Sequence, residues 1–363
     1  MRKQSLFLTA ATAVVSAALL SACSSGVSQG TSAGLPSTGV SQSRGLSDAL
    51  RSGVAPKFSG MIRHSHAAKR EIRPDQFTNH VIYISDSGNG AADVIKYNHW
   101  TIDEGTIGSG MSGANGNWVD RATDGRHLFE ANYTGPYINE YNPDGSLAFT
   151  YSAGMTDPVE VTTDKHKNVY EGEFNYNTAG IPGAVNEYAP MTNSVMASCA
   201  PGNVEGVAVD KHGNVFAAYN NVMTLVGSII EYPHGLSASG CVGTVLPITF
   251  GYLGSIVFDR QGNLVVCDQT GPNFAGAVID IVAPPYSAVT GTLGSGWLDP
   301  FHATVDMAGT RAYVTDLGAG AVDVLDYPAG TLIATIDTST TTGVLTPTGA
   351  VDEHNLVVDN MGP

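Results

Sequence analysis

From about residue 80 onward the apolar residues of this chain come in short runs, alternate with polar ones, and stop at Asp, Asn and Gly. No stretch keeps helical spacing, so the pattern predicts many short strands and almost no helix. The strands recur in sets. Four stretches superimpose: PVEVTTDKHKNVYEGEF from Pro158, VEGVAVDKHGNVFAAYN from Val204, LGSIVFDRQGNLVVCDQ from Leu253 and PFHATVDMAGTRAYVTD from Pro300. Each opens with an apolar strand, turns at an aspartate (Asp164, Asp210, Asp259, Asp306) and returns through a second strand. Asp and Gly suit such tight turns. Residues 122–129 are a shorter version, and a third strand ending in tyrosine recurs, as in Val185-Asn186-Glu187-Tyr188 and Val324-Leu325-Asp326-Tyr327. A repeat in the mid-to-high forties fits one propeller blade per unit, so the fold class is all-β, a β-propeller.

The ends set the blade count. Residues 81–86 match a second strand that lacks its first, and residues 348–352 match a first strand with no complete blade after it. A C-terminal strand completing the N-terminal blade closes the ring and removes exposed sheet edges. Five complete units and this shared one give six blades. Seven is the alternative, because Leu356-Val357-Val358-Asp359-Asn360 reads as a further second strand.

Ahead of the repeats, Arg2 and Lys3 precede an apolar stretch over 6–20 that ends in Leu20-Ser21-Ala22-Cys23. A basic start, an apolar run and a small-residue end are the marks of a cleavable export signal. The segment resembles the bacterial lipoprotein signal, which implies removal of residues 1–22 and acylation of Cys23, with an outer-membrane or cell-surface location favoured. Residues 23–60 are rich in Ser and Gly and read as a flexible tether reaching about 35 Å by random-coil scaling. Residues 61–79 form a lead-in segment with a disproportionate share of the basic side chains, and 80–363 form the propeller. No second apolar run approaches the roughly 20 residues of a membrane span.

The chain has 17 Lys and Arg against 33 Asp and Glu, a formal net charge of −16. Nucleic acid needs clustered Lys and Arg and is excluded as a partner. A small molecule, a glycan or an envelope protein remains, with membrane contact through the lipid on Cys23. Three further cysteines are Cys199, Cys241 and Cys267. Cys199 and Cys241 hold matching places near the ends of successive repeats and are the pair to test, since export permits a disulfide. Cys267 sits in an apolar strand and reads as a buried thiol.

Tyr83-Ile84-Ser85-Asp86-Ser87-Gly88-Asn89-Gly90-Ala91-Ala92-Asp93-Val94 and Tyr313-Val314-Thr315-Asp316-Leu317-Gly318-Ala319-Gly320-Ala321-Val322-Asp323-Val324 resemble the NHL-type propeller repeat. The chain lacks the Arg that usually follows the Asn-Asn pair of that repeat. The resemblance implies a propeller over about 80–360 and leaves the function open, since such propellers include binding modules, surface proteins and a few enzymes.

In a propeller the start of strand one and the end of strand two share a face. Four residues before each turn aspartate stand Asp120, Glu160, Gly206, Ser255, His302 and Thr348, with Glu205 one place earlier. Asp120, Glu160, Glu205 and His302 are expected at the channel mouth, where carboxylates and a histidine could hold a hard cation such as calcium or act as acid and base. By position alone this resembles the gluconolactonase-type and streptogramin-lyase propellers, which implies a divalent metal at the mouth. Asp86, Asn132, Glu173, Asp268 and Asp316, at the ends of second strands, read mainly as turn caps. The loops after them carry Tyr133, Tyr137, Phe174, Tyr176, Tyr219 and Phe274 beside amides, a combination that suits sugars or aromatic small molecules. His127, His166, His212 and His354 fall in turns on the opposite face and are not expected as metal ligands. Two readings result: a non-enzymatic ligand- or protein-binding module that needs no cofactor, and a divalent-metal-dependent lyase or lactone hydrolase at the channel mouth. A structural partner in an envelope complex is a third.

Overall fold

The computed structural model describes residues 81–352, apart from 97–100, 109–110, 112–113, 121–126, 175–181, 270–275, 338–346 and positions 89, 134, 143, 222 and 307. Cys23, the Ser/Gly-rich stretch, the lead-in segment, Tyr176, Phe274, His354 and the 356–360 run lie outside the described residues.

Among the described residues, twenty-four strands form six four-stranded antiparallel sheets. The inner strands are β4 (Ala114–Asp120), β8 (Pro158–Thr163), β12 (Asn203–Val209), β16 (Tyr252–Phe258), β20 (Pro300–Val305) and β24 (Pro347–Asp352). Each packs against the inner strands of its two neighbours, closing a ring of six blades. Blade 1 is composite: β24 pairs with β1 (Val81–Asp86), followed outward by β2 (Ala91–Lys96) and β3 (Thr101–Ile107). The expected closure by a C-terminal strand is thus present, and six is the number of sheets.

Burial follows position in the blade. The inner strand β16 and the second strand β17 (Leu264–Gln269) are buried throughout, whereas the outer strand β7 (Leu147–Tyr151) is mostly part-exposed. Strands covered on both faces read as continuous apolar runs. The core lies between blades: Phe129, Tyr151, Tyr188, Phe216 and Phe258 belong to one buried cluster that spans several sheets.

The turn aspartates explain the repeat. Asp164, Asp210 and Asp259 each accept, through Oδ1, the backbone N–H of the residue four places on, and through Oδ2 the side-chain amide of that asparagine. Asp306 uses Thr310 in the same way. One carboxylate therefore satisfies the donors of the hairpin between the inner and second strands.

Cys199, closing β11 (Val195–Cys199) of blade 3, is disulfide-bonded to Cys241, which follows the short helix α1 (Leu236–Ser239) of blade 4. The bond staples two blades at their outer rims.

Candidate functional site

Each of the six inner strands has a register irregularity near its mouth end: between Ala114 and Asn117, Pro158 and Glu160, Val204 and Gly206, Leu253 and Ile256, Pro300 and His302, and Pro347 and Gly349. A bulge re-aims the side chains beside it. Below the bulge the ring is tight. A Cβ on Gly206 would lie 2.7 Å from the Ile256 nitrogen, and one on Gly254 would lie 2.5 Å from the Phe301 oxygen. Gly206 is thus a packing requirement of neighbouring inner strands rather than a vacant ligand position.

Glu160 and His302 meet. They project from β8 and β20, in blades 3 and 6, which stand opposite each other in the ring, so the contact spans the channel. Oε2 of Glu160 is 3.6 Å from Nε2 of His302, and the residues are 3 % and 6 % exposed. Oε1 of Glu160 accepts the Val161 N–H at 3.2 Å. The Ala350 N–H, from the closing strand, points at Nδ1 of His302 at 3.5 Å, which puts the ring proton on Nε2, facing Glu160. Ser255 does not join the pair; its Oγ accepts the Ala303 N–H at 3.0 Å, tying blade 5 to blade 6.

Glu205 is held elsewhere. It accepts a 2.9 Å hydrogen bond from the Tyr252 hydroxyl, between blades 4 and 5. Asp120 departs from its expected level. It stands opposite His127 at the end of β4 remote from the mouth, and Asn117, opposite Glu130, takes the level of Glu160. The four residues expected to converge thus resolve into one cross-channel pair, one inter-blade hydrogen bond and one residue at the other end. Among the described residues no three His, Cys, Asp or Glu side chains are grouped so as to hold a metal ion.

The ends of the second strands cap and clamp. Asp86 accepts the Gly88 N–H and Asn132 the Gly135 N–H, as turn caps do. Asp316 caps at Ala319 and also accepts the Leu298 and Asp299 N–H groups leading into β20. Asn220 both donates to and accepts from the Leu253 backbone, at 2.7 and 2.8 Å, so one buried amide joins blade 4 to blade 5. Glu173 accepts from Asp157 N–H and shares the Asn186 amide with Glu171. Glu171 is wholly buried, and burial, reinforced by the Glu173 carboxylate, holds its carboxyl well above the usual range.

Asp268 accepts the Gly251 N–H, and burial pushes its carboxyl up to about 7 against that hydrogen bond, with Asp280 adding to the rise. Its folded pKa lies above the unfolded value, so its contribution is full below about pH 4 and is lost as the pH climbs towards about 7. Asp268→Asn keeps the acceptor for Gly251 and removes the titration. In urea melts at a series of pH values, the variant is expected to match the wild type near pH 4 and to exceed it by about 2–4 kcal/mol above pH 7. A constant difference at all pH values contradicts this assignment.

The aromatic residues divide. Phe174 is 0 % exposed and Tyr133 is buried, so both pack inward instead of offering a stacking face. Tyr137 and Tyr219 are part-exposed at the mouth ends of β6 (Tyr137–Tyr141) and β13 (Val215–Asn221). The His166 and His212 backbone N–H groups cap onto Asp164 and Asp210 in the far-side turns. His127 opens β5 (His127–Asn132), and its Nδ1 contacts Glu140. Cys267 is buried, its thiol pushed up by burial.

Sequence reasoning missed Tyr252 and the buried Glu130, which accepts a 2.6 Å hydrogen bond from Ser85 of the neighbouring blade, and it places Asn220 among the ligand-facing amides where the structure uses it to join two blades. The signal was present for Glu130 and Glu171, since each is an acid set directly between apolar or small residues, Phe129 and Ala131 in one case and Tyr170 and Gly172 in the other.

No family model matches the chain, and no curated protein matches it. Solved structures do. A structure of a nidogen/laminin complex matches with a TM-score of 0.59 and 14 % identity, over 76 % of this chain and 98 % of that one. The hydrazine synthase of Kuenenia stuttgartiensis matches at 0.55 and 15 %, over 80 % and 92 %. A functionally unknown protein from Desulfotomaculum acetoxidans matches at 0.54 and 10 %, over 76 % and 99 %. At these identities the likeness is one of fold, and the chain is a six-bladed β-propeller.

Proposed function

We propose that this chain is an exported binding module of a bacterial envelope, lipid-anchored through Cys23, with a divergent NHL-like repeat as its scaffold and no reaction of its own. The carrying observation is how the mouth residues are spent on one another: Glu205 on Tyr252, Glu160 on His302 and its own strand. Such an arrangement supports a rigid, polar recognition surface more than an open metal site, which keeps a free coordination position. Export is supported by the inter-blade disulfide, a bond that persists in oxidising compartments. The ligand is a small molecule, a glycan or an envelope protein that docks on the mouth face, where part-exposed Tyr137 and Tyr219 stand. The metal-dependent lyase or lactone hydrolase remains the second reading because Glu160 and His302 do face one another.

The anchor is tested by growing expressing cells with labelled palmitate. The wild-type chain is expected to carry the label and sediment with membranes. Cys23→Ala is expected to lose the label and remain uncleaved at its signal. Label retained in Cys23→Ala contradicts the anchor.

A further inference from the structure

Every described lysine and arginine of the propeller stands at the end of the blades remote from the mouth. Residues 81–352 hold eight Lys and Arg, and none falls in a connection on the mouth side. Lys165, Lys167, Lys211 and Arg260 occupy the turns joining inner to second strands in blades 3, 4 and 5. Arg311 opens β21 (Arg311–Asp316), and Lys96 ends β2 opposite Val81, at the same far end. Arg121 and Arg126 lie outside the described residues.

Blades 3–5 carry these charges as an arc. Lys165, Lys167, Lys211 and Arg260 are all exposed, and none has an ion pair among the described residues. The carboxylates of the same turns lie beneath them: Asp164, Asp210 and Asp259 are buried and engaged by turn N–H groups and amides. The other far-side connections of these blades, residues 189–194, 233–243 and 283–290, contain no Asp or Glu. Glu231, near the far end of β14 (Val226–Tyr232), is part-exposed. The arc stops at its flanks, where blade 2 has the exposed Asp144 in a far-side turn and Arg311 of blade 6 is paired with Asp326 at 2.9 Å. Lys167 holds its place against backbone strain. Its φ is 68°, in the left-handed region, where the matching turns of blades 4, 5 and 6 have Gly213, Gly262 and Gly309. Each of the four donates its N–H to the carbonyl of its turn aspartate, so the positions are equivalent. A side chain there is strained as glycine is not, and what the strain brings is a second lysine.

We propose that this arc is a docking surface for the anionic phospholipid headgroups of the membrane that carries the lipid anchor. The inference rests on the anchored-module reading and names the surface that the far face meets. The chain leading from Cys23 enters the propeller at Val81, whose register partner is Lys96, so it joins the body on this face. Shortly before that entry the sequence carries Arg63, Lys69, Arg70 and Arg73. Each Lys or Arg held against an anionic leaflet strengthens binding about fivefold. The mouth carboxylates do not cancel this attraction, because an inner strand of six or seven residues is about 20 Å long, more than twice the roughly 8 Å over which physiological salt screens a charge. With the far face on the bilayer, the mouth with Tyr137 and Tyr219 points away from it and stays open to a ligand.

The test reads lysine accessibility on the anchored chain. The full chain, purified in detergent, is added to preformed vesicles of phosphatidylcholine with or without phosphatidylglycerol, and initial rates of lysine acetylation by a water-soluble reagent are read by peptide mass spectrometry. Lys165, Lys167 and Lys211 are expected to label about threefold or more slowly with phosphatidylglycerol than without, and to regain their rates in high salt. Met223→Lys puts a reporter in the exposed loop on the mouth side and is expected to label alike on both vesicles. Lys165→Glu with Lys211→Glu is expected to abolish the protection of Lys167, and Lys165→Arg with Lys211→Arg to preserve it. Lys167→Gly is expected to weaken the protection of Lys165 and Lys211 with no fall in melting temperature, since glycine relieves the turn, so that lost folding cannot account for the change. The inference is overturned if labelling is the same with and without phosphatidylglycerol, if the charge reversal leaves Lys167 protected, or if the mouth reporter is protected as fully as Lys211. Protection found in native membranes but not on phosphatidylglycerol vesicles assigns the arc to an acidic protein and overturns the lipid. A wild type that takes up no palmitate contradicts the anchor alone. The arc is then read by sedimentation with phosphatidylglycerol vesicles, which are expected to carry down the wild type and not the charge reversal, and equal sedimentation overturns it.

Discussion

Replacing Cys199 and Cys241 together by serine is expected to lower the stability of the propeller by about 4 kcal/mol. The bond closes a loop with a sequence separation of 42, long enough for the unfolded chain to gain considerable freedom once it is cut. It also joins the rims of blades 3 and 4, otherwise held by side-chain packing and contacts such as Ser237 Oγ donating to Glu187. The melting temperature should fall by about 10 °C for a body of this size. Calorimetry of the double variant, with the wild type before and after reduction, checks the value. A reduced wild type that melts with the oxidised one contradicts a structural role for the bond.

Phe216→Ala is expected to cost about 3–5 kcal/mol. The ring is wholly buried on β13, edge-on to Phe258 at 5.0 Å and to Tyr286 at 5.2 Å. Phe258 and Tyr286 belong to blade 5, so the cavity would open between blades, where the core lies. Phe216→Leu should lose less, because most of the buried volume is kept. Urea denaturation of both variants, with the slope m compared to show that unfolding still exposes the same surface, separates cavity cost from a change of state. A loss below about 1 kcal/mol for Phe216→Ala contradicts the placement of this ring.

The fold was legible because the features that build a propeller blade are local. Turn aspartates such as Asp164 and Asp210 cap hairpins with residues two and four places away, so they mark each unit in the sequence. The closing strand was legible for the same reason: residues 348–352 and 81–86 are each half of a pattern complete elsewhere. Equivalent places in adjacent units marked Cys199 and Cys241 as the pair to test, and the two are bonded.

The mouth was less legible because it is assembled across blades. Counting back from a turn aspartate works where that residue directly follows the strand, as Asp164 follows Thr163. In blade 2 the strand ends at Asp120, four residues before Asp124, so the same count lands at the wrong end of β4. Glu160 and His302 lie 142 positions apart, and the sequence placed both at the mouth without showing that they touch across the axis. The hydroxyl that engages Glu205 belongs to Tyr252, the first residue of the next inner strand, which lies one place before the repeated stretch that starts at Leu253. Phe174 and Tyr133 look like loop aromatics in the sequence, but an apolar ring at the end of a buried strand gains more by turning inward than by facing water.

The most direct test of a non-catalytic mouth is the melting temperature of the full chain in EDTA, and then with calcium, magnesium, manganese or zinc, beside Glu160→Gln and His302→Ala. An ion that binds only the folded state must raise the melting temperature. The expected result is no ion-specific rise, with wild type and variants alike in their indifference to EDTA. A rise given by one divalent ion and abolished by both substitutions contradicts the account and makes the mouth a metal centre.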